Sequence, residues 1–383
     1  MARHQRLRRL NRRSAAIAGL MAVALNACTV TPATAPTTVP LTTVPVTTVP
    51  VTTVPPTPGS TVAPTSGLII EPDQGMTFIY TSLGSPTRTL DLSMYELVDT
   101  RAESILAADA SRGVTVRVIL DHRLEATQNQ PAYSYLSAHG VQVRWAPSSF
   151  PAFHIKMFCI DGAVCSVMTL NLTSRYYANT RDFAVTDPNP ADVASMEATF
   201  AADFGGTSTT PSAGTDLIWS PGSSSGLTSF IGSATSELLV YNEEMSDPTV
   251  VASLAAAARR GVVVKVVMTD QSSWNKEFST LTAAGVQVRV FHGETPIYIH
   301  AKMIVADRKE AFIGSENFSR SSLDDNRELG LTVTNPAMVT AADATFATDF
   351  AGAQPWTGGQ PESEPGPARG INEETTRLQP ALR

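Results

Sequence analysis

The 383-residue sequence predicts an α/β fold built twice, and three observations predict it. Segments recur in the same order along the chain. Gly113-Val-Thr-Val-Arg117 resembles Gly261-Val-Val-Val-Lys265, Gly140-Val-Gln-Val-Arg144 returns unchanged as Gly285-Val-Gln-Val-Arg289, and Ala198–Phe204 returns with one change as Ala344–Phe350. From His154 onward the offset between the copies is a constant 146 residues. Each copy also alternates β-branched runs with helix-period segments, the pattern of a mixed sheet covered by helices. Hydrophobic residues make up 43% of the chain and charged residues 16%, enough to fill two cores.

The elements follow in order. The first domain, 67–208, carries a predicted helix near 101–111, a strand over 114–120, a helix near 133–138 and a strand over 141–145. In the second, 209–355, residues 237–241 read as a strand. Residues 248–260 read as an alanine-rich helix with Pro248 at its start and Gly261 just past its end. The β-branched run 262–268 reads as a buried strand, 276–284 as a helix closed by Gly285, and 286–291 as another strand.

The ends are of other kinds. Residues 1–27 hold six arginines, no acid and an apolar stretch from Ala15 to Leu25, which reads as a secretory signal. It ends in Leu25-Asn26-Ala27-Cys28, which resembles a bacterial lipobox and implies export with acylation at Cys28 as a membrane anchor. Residues 28–66 are Thr, Pro, Val, Ala and Ser around a recurring TTVPV unit, the composition of an extended stalk. Residues 356–383 read as a disordered tail. Net charge is −7, and without the first 27 residues 22 basic face 35 acidic residues, a net of −13. That balance disfavours non-specific nucleic-acid binding. No apolar run reaches the roughly 18–20 residues of a membrane span, and three cysteines exclude a disulfide scaffold.

Two of six histidines open one pattern, His154-Ile-Lys156 with Asp161 and His300-Ala-Lys302 with Asp307. Asn171 and Asn317 each lie 17 residues beyond their histidine, Thr169 and Ser315 two before the asparagines, and Asp182 and Glu328 28 beyond the histidine. On a strand, His-x-Lys places both side chains on one face. Lysines neutralise phosphoryl oxygens, and hydroxyl and amide groups add hydrogen bonds. Two copies about a pseudo-twofold axis bring two histidines to opposite sides of one phosphorus, one to attack and one to protonate the leaving oxygen. Asp182 and Glu328 then hold the imidazole tautomers.

The pattern H-x-K-x₄-D, followed by G-S/G-x-N, resembles the phospholipase D superfamily over roughly 75–352. The second copy, Gly314-Ser315-Glu316-Asn317, matches fully; the first, Met168-Thr169-Leu170-Asn171, keeps the hydroxyl and lacks the glycine. The resemblance implies two α-β-α sandwich domains, a phosphohistidine intermediate on His154 with His300 as acid, no metal or other cofactor, and mainly structural roles for Asp161 and Asp307. Asp161-Gly162 itself reads as a hairpin turn.

Other residues favour packing or surface roles: His122, His292, Trp145, Phe153, Trp274, Tyr176, Tyr177 and Tyr298. Cys159 and Cys165 flank the 161–162 turn and form either a disulfide or two small buried thiols. The leading function is a phospholipase D-type hydrolase, monomeric, with its site formed between the two halves and a phospholipid or other phosphodiester as substrate. A nuclease, a phosphatidyltransferase and a non-catalytic binding lipoprotein are the alternatives.

Overall fold

The halves meet through charged residues that repeat with them. Arg181 and Arg327 stand 146 residues apart, as do Asp203 and Asp349. Arg181 reaches across to Asp349, with its two nitrogens 2.7 and 3.0 Å from the carboxylate. Arg327 reaches back to Asp203, at 3.0 and 3.1 Å. All four side chains are buried, so each pair depends on its partner to offset desolvation.

The computed structural model describes residues 67–207, 209–293 and 296–358. The predicted signal, Cys28, the 28–66 stalk and the tail beyond 358 lie outside the described residues. In the first half the strand order is Leu68–Glu71, Thr180–Asp187, Val164–Met168, Met157–Ile160, Thr89–Met94, Thr115–Leu120, Gln142–Trp145. The second half repeats it: Leu217–Ser220, Glu328–Val333, Glu310–Gly314, Lys302–Ala306, Glu237–Tyr241, Val263–Thr269, Gln287–Phe291, with Gln354–Pro355 added at the edge. The last three strands of the shared order run parallel to one another and the rest pair antiparallel, so both sheets are mixed.

Three apolar clusters fill the layers. One draws on both halves, with Val167, Phe183 and Phe200 packed in the same cluster as Ile313, Leu331 and Phe346. Each half keeps a second cluster of its own under its outer helices. Helices Pro190–Phe204 and Pro336–Gly352 serve the shared cluster. Both start the same way: Asn189 accepts the Ala191 amide, Asn335 accepts the amides of Ala337 and Met338, and proline fills the first turn.

Observed helices and strands fall within a residue or two of expectation except at two places. The helix expected near 133–138 is Ala126–Ala138 and runs through Pro131. Buried Asn129 holds its first turns by bonding Leu97, Tyr95 and Asp121 backbone groups, and these contacts override the proline. The ordered chain also continues past 355. The Trp356 amide donates to the Val288 carbonyl at 3.0 Å and its ring lies 5.7 Å from Phe278, so the tail begins later than residue 356.

Candidate active site

The segments bearing the histidines pair with the opposite half, not with their own sheets. The His154 amide donates to the Arg327 carbonyl at 3.0 Å, and the Ala301 amide to the Arg181 carbonyl at 2.9 Å. Phe153 bridges Arg327, and Tyr298–Ile299 pairs in parallel with Thr180–Arg181. The expectation that His-x-Lys lies on a strand is therefore corrected. Strand structure begins at Met157 in the first half and at Lys302 in the second. The preceding backbone is used to join the halves.

This crossing delivers each histidine to the other half's acid. His154 Nδ1 lies 2.7 Å from Glu328 Oε2, and His300 Nδ1 lies 2.8 Å from Asp182 Oδ1. With Nδ1 committed, Nε2 of each ring is the nitrogen left for chemistry. Alternation along the strand explains why the sequence needs Arg-Asp and Arg-Glu as neighbours: the acid faces the histidine, and the arginine faces the opposite helix. These arginines, at 27 residues beyond each histidine, escaped the sequence reading although the repeat marks them. So did Asp203 and Asp349.

Of the two motif hydroxyls, the one in the first half bonds its acid directly. Thr169 Oγ1 donates to Asp182 Oδ1 at 2.6 Å and accepts the Phe183 amide at 2.8 Å. Ser315 Oγ accepts the Leu329 amide at 3.2 Å. Both residues are fully buried. Glu328 is held instead by Ser322 Oγ at 2.6 Å and Asn326 Nδ2 at 3.1 Å. The backbone of the two loops is nonetheless the same, with Thr169 and Ser315 amides donating to the Phe183 and Leu329 carbonyls.

Why only the second copy carries glycine is also visible. Gly314 faces Gly330 in the ladder, and a Cβ on Gly314 would lie 2.4 Å from Glu316 Oε2. The first half has Met168 facing Ala184 and Leu170 where Glu316 stands. The glycines make room for the fully buried Glu316 carboxyl, which burial and the nearby Glu328 charge hold well above its ordinary pKa.

The lysines differ between halves. Lys156 Nζ donates to the His154 carbonyl at 2.9 Å and lies 5.2 Å from the Tyr95 ring centre. Lys302 Nζ donates to Glu243 Oε2 at 2.9 Å, and the same oxygen lies 3.6 Å from His300 Nε2. Tyr95 and Glu243 occupy equivalent places. Each lies six residues beyond the strand residue, Thr89 or Glu237, whose amide binds the motif aspartate. Tyr95 packs edge-on against His154 at 4.7 Å. Burial lowers the His300 pKa, but Asp182 and Glu243 outweigh burial and the Lys302 charge and raise it to about 9. Neither Tyr95 nor Glu243 has a motif to reveal it.

Asp161 and Asp307 lie away from the histidines, at turns with positive φ. Asp161 accepts the amides of Thr87, Arg88 and Thr89, and Asp307 those of Thr235, Ser236 and Glu237. Burial raises both carboxyls, but these hydrogen bonds together outweigh it and hold them well below the ordinary range. Cys159 and Cys165, facing each other across the same hairpin, form a disulfide. Of the aromatic residues, Phe153 and Trp274 are buried core, Trp145 stacks on Tyr133 at 4.4 Å, and the Tyr298 hydroxyl donates to Glu243 at 2.9 Å. His122 packs near Trp145 and His292 pairs with Asp270 at 3.0 Å.

A pocket opens beside His300, lined also by Asn171, Asp182 and the rings of Tyr95, Tyr176 and Tyr177. About 40 Å³ of it is open to the centres of water molecules, room for about three waters. Asn171 thus faces this space, whereas Asn317 is buried with its amide nitrogen of the backbone bound to Ser322 Oγ at 2.7 Å.

The chain is similar to known proteins. Residues 79–204 and 227–350 both match the family described as cardiolipin synthase, PLD-like domain. Phospholipase D Y of Dictyostelium discoideum is 32% identical over 109 residues, 26% of this chain and 25% of its own length. The phospholipase D of Rickettsia bellii is 32% identical over 109 residues, 27% of this chain and 54% of its own length. The matched segments thus span between a quarter and about half of these curated relatives. The fold is similar to that of the phosphatidylserine synthase of Haemophilus influenzae, with a TM-score of 0.60 at 12% identity over 82% of this chain and 94% of that one. With both halves matched, over more than half its length, the chain belongs to the PLD-like domain family of the phospholipase D superfamily.

Proposed function

We propose that the protein is a phospholipase D-type phosphodiester hydrolase that cleaves a phospholipid to phosphatidic acid and a free head-group alcohol. The observation that carries this reading is the crossed pair of carboxylate-held histidines, His154 with Glu328 and His300 with Asp182. Nε2 of His154 attacks phosphorus, and the bond from phosphorus to the head-group oxygen breaks. His300 gives its Nε2 proton to that oxygen. Water then donates a proton back to His300 and attacks phosphorus, which releases His154 and the phosphatidic acid.

The division of roles rests on the neighbours. His300, with carboxylates at both ring nitrogens, is protonated at neutral pH and suits the acid. His154 has the Tyr95 ring in the place of Glu243 and suits the nucleophile. Lys156 and Lys302 stand beside the reacting phosphate, with Asn171 on the pocket side. Export and acylation of Cys28 would place this chemistry at a membrane surface, and loss of lipid labelling in Cys28→Ala tests that placement.

The test uses the full chain with mixed phospholipid vesicles, reading phosphatidic acid by mass spectrometry beside His154→Ala. Product that vanishes in the variant supports the reading. A folded chain that yields none, and instead cuts single-stranded DNA or transfers the phosphatidyl group to an added alcohol, overturns it.

A further inference from the structure

The pocket beside His300 carries more acceptors than the protein satisfies. Glu71 is 2% exposed, it lines the pocket, and neither of its carboxyl oxygens has a hydrogen-bond partner. Gln128 Oε1, Asn171 Oδ1 and Thr180 Oγ1 line the same space and are also buried without partners. Buried acceptors of this kind are expensive unless a ligand supplies donors. The walls add Glu96, Glu125 and Asp182, against two cations that are already paired, Arg175 with Glu96 at 2.9 Å and His300 with Asp182 at 2.8 Å. An anion is therefore refused here, and the reacting phosphate belongs at the lysines.

We propose that this pocket is the leaving-group subsite and that it selects a small alcohol bearing a primary ammonium, an ethanolamine-type head group. The inference rests on the hydrolase reading above, because it places the departing alcohol on the side of the acid His300. A primary ammonium brings three N–H donors to Glu71, Gln128 and Asn171. A quaternary ammonium brings none; the tyrosine rings would still attract it, but the acceptors would stay unsatisfied. A neutral polyol brings donors without a charge to offset the excess of carboxyl groups over cations in the walls. The size agrees, since a head group of a few heavy atoms replaces about three waters. Burial, with Asp182 and Asp73 as like-charged neighbours, pushes Glu71 up to about 8 despite Arg181, as expected of a carboxyl awaiting a countercharge.

The full chain is assayed on vesicles containing phosphatidylethanolamine, phosphatidylcholine or phosphatidylglycerol at equal mole fraction. The expected result is a kcat/KM for phosphatidylethanolamine about ten-fold or more above either other lipid. Glu71→Gln collapses that ratio mainly through KM, and Gln128→Leu reduces it less. Equal rates on the three lipids, or a preference for choline, overturn the proposal. A binding arm separates it from the hydrolase reading. Calorimetry on full-length His154→Ala compares glycerophosphoethanolamine, glycerophosphocholine and glycerophosphoglycerol. A Kd about ten-fold or more tighter for the first sustains the subsite even if no lipid is cleaved. Equal affinities overturn it even if all three lipids are cleaved.

Discussion

The two halves share their strand order, their loops and their motif, and they differ where the chemistry divides. Beside His154 stands Tyr95, an aromatic ring under the Lys156 ammonium. Beside His300 stands Glu243, a carboxylate that binds Lys302 and lies 3.6 Å from Nε2. A symmetric duplication gives two equivalent histidines, which divide the roles of nucleophile and acid only by sharing one proton between them. One substitution at equivalent places, tyrosine against glutamate, separates their proton affinities. The pocket is lined both by His300 and by Tyr95, the ring that packs against His154.

The largest effect comes from removing either ring. His154→Ala and His300→Ala each lower kcat on phospholipid by roughly 10⁴-fold or more. The halves then separate by leaving group. An aryl phosphodiester, whose phenolate departs without a proton, restores His300→Ala by on the order of ten-fold or more, while His154→Ala stays at background. Equal rescue of the two variants would break the assignment.

Next come the crossed acids. Glu328→Gln and Asp182→Asn each lower kcat by roughly 10²–10⁴-fold, because an amide can hold the wrong imidazole tautomer. Each change lies in the half opposite the histidine it affects. A double variant of His154 and Glu328 should therefore be no slower than His154→Ala alone, whereas additive losses would sink the crossed pairing.

Glu243→Gln has a smaller effect with a sign that can be worked out. His300 acts as acid only when protonated, and its pKa stands at about 9, so the alkaline limb of activity falls as the pH rises through that value. Removing a carboxylate that raises the pKa moves the alkaline limb of kcat/KM down by roughly one pH unit. An unmoved limb would show that Glu243 does not distinguish the halves.

How much of this was legible follows from what repetition records. Spacing within a copy marked both histidines, lysines and acids, and the doubled β-α pattern marked the sheets. Spacing does not say which copy a side chain reaches. Asp182 lies 28 residues past His154 and serves His300, which lies 118 residues away. Glu243 and Tyr95 were hidden for the opposite reason: they differ between copies, so repetition could not point to them. Glu71 belongs to the first strand and meets the site only through its pairing with Thr180–Asp187, where Glu71 faces Asp182.

The motif aspartates are the symmetric control. Asp161 and Asp307 bind three successive amides in the same way. Asp161→Asn and Asp307→Asn should each lower the melting temperature by roughly 2–4 °C and leave activity per folded molecule unchanged. Both carboxyls have depressed pKa values in the fold, so their contribution is present above the ordinary carboxylate range and is lost as the pH falls below it. Unequal losses between the two variants would mean that the halves differ at their turns as well as at their histidines.

A last test concerns the one covalent difference among the described residues. The Cys159–Cys165 disulfide spans a hairpin already closed by the Asp161 turn, and the second half folds the same hairpin with Val305 and Ala311 in those places. A cross-link closing so short a loop restrains the unfolded chain little, with an upper value of about 2 kcal/mol. The double variant Cys159→Val/Cys165→Ala imports residues the fold has already accommodated once, so it should leave no cavity of consequence. Its melting temperature should fall by less than about 8 °C, and a reductant should move the parent protein by the same amount. Both cysteines belong to the shared core, not to the pocket, so kcat at 25 °C should not change. A loss of turnover in the double variant would show that the disulfide sets the position of Lys156 through the adjoining strand, and the asymmetry of the halves would then begin in their cores.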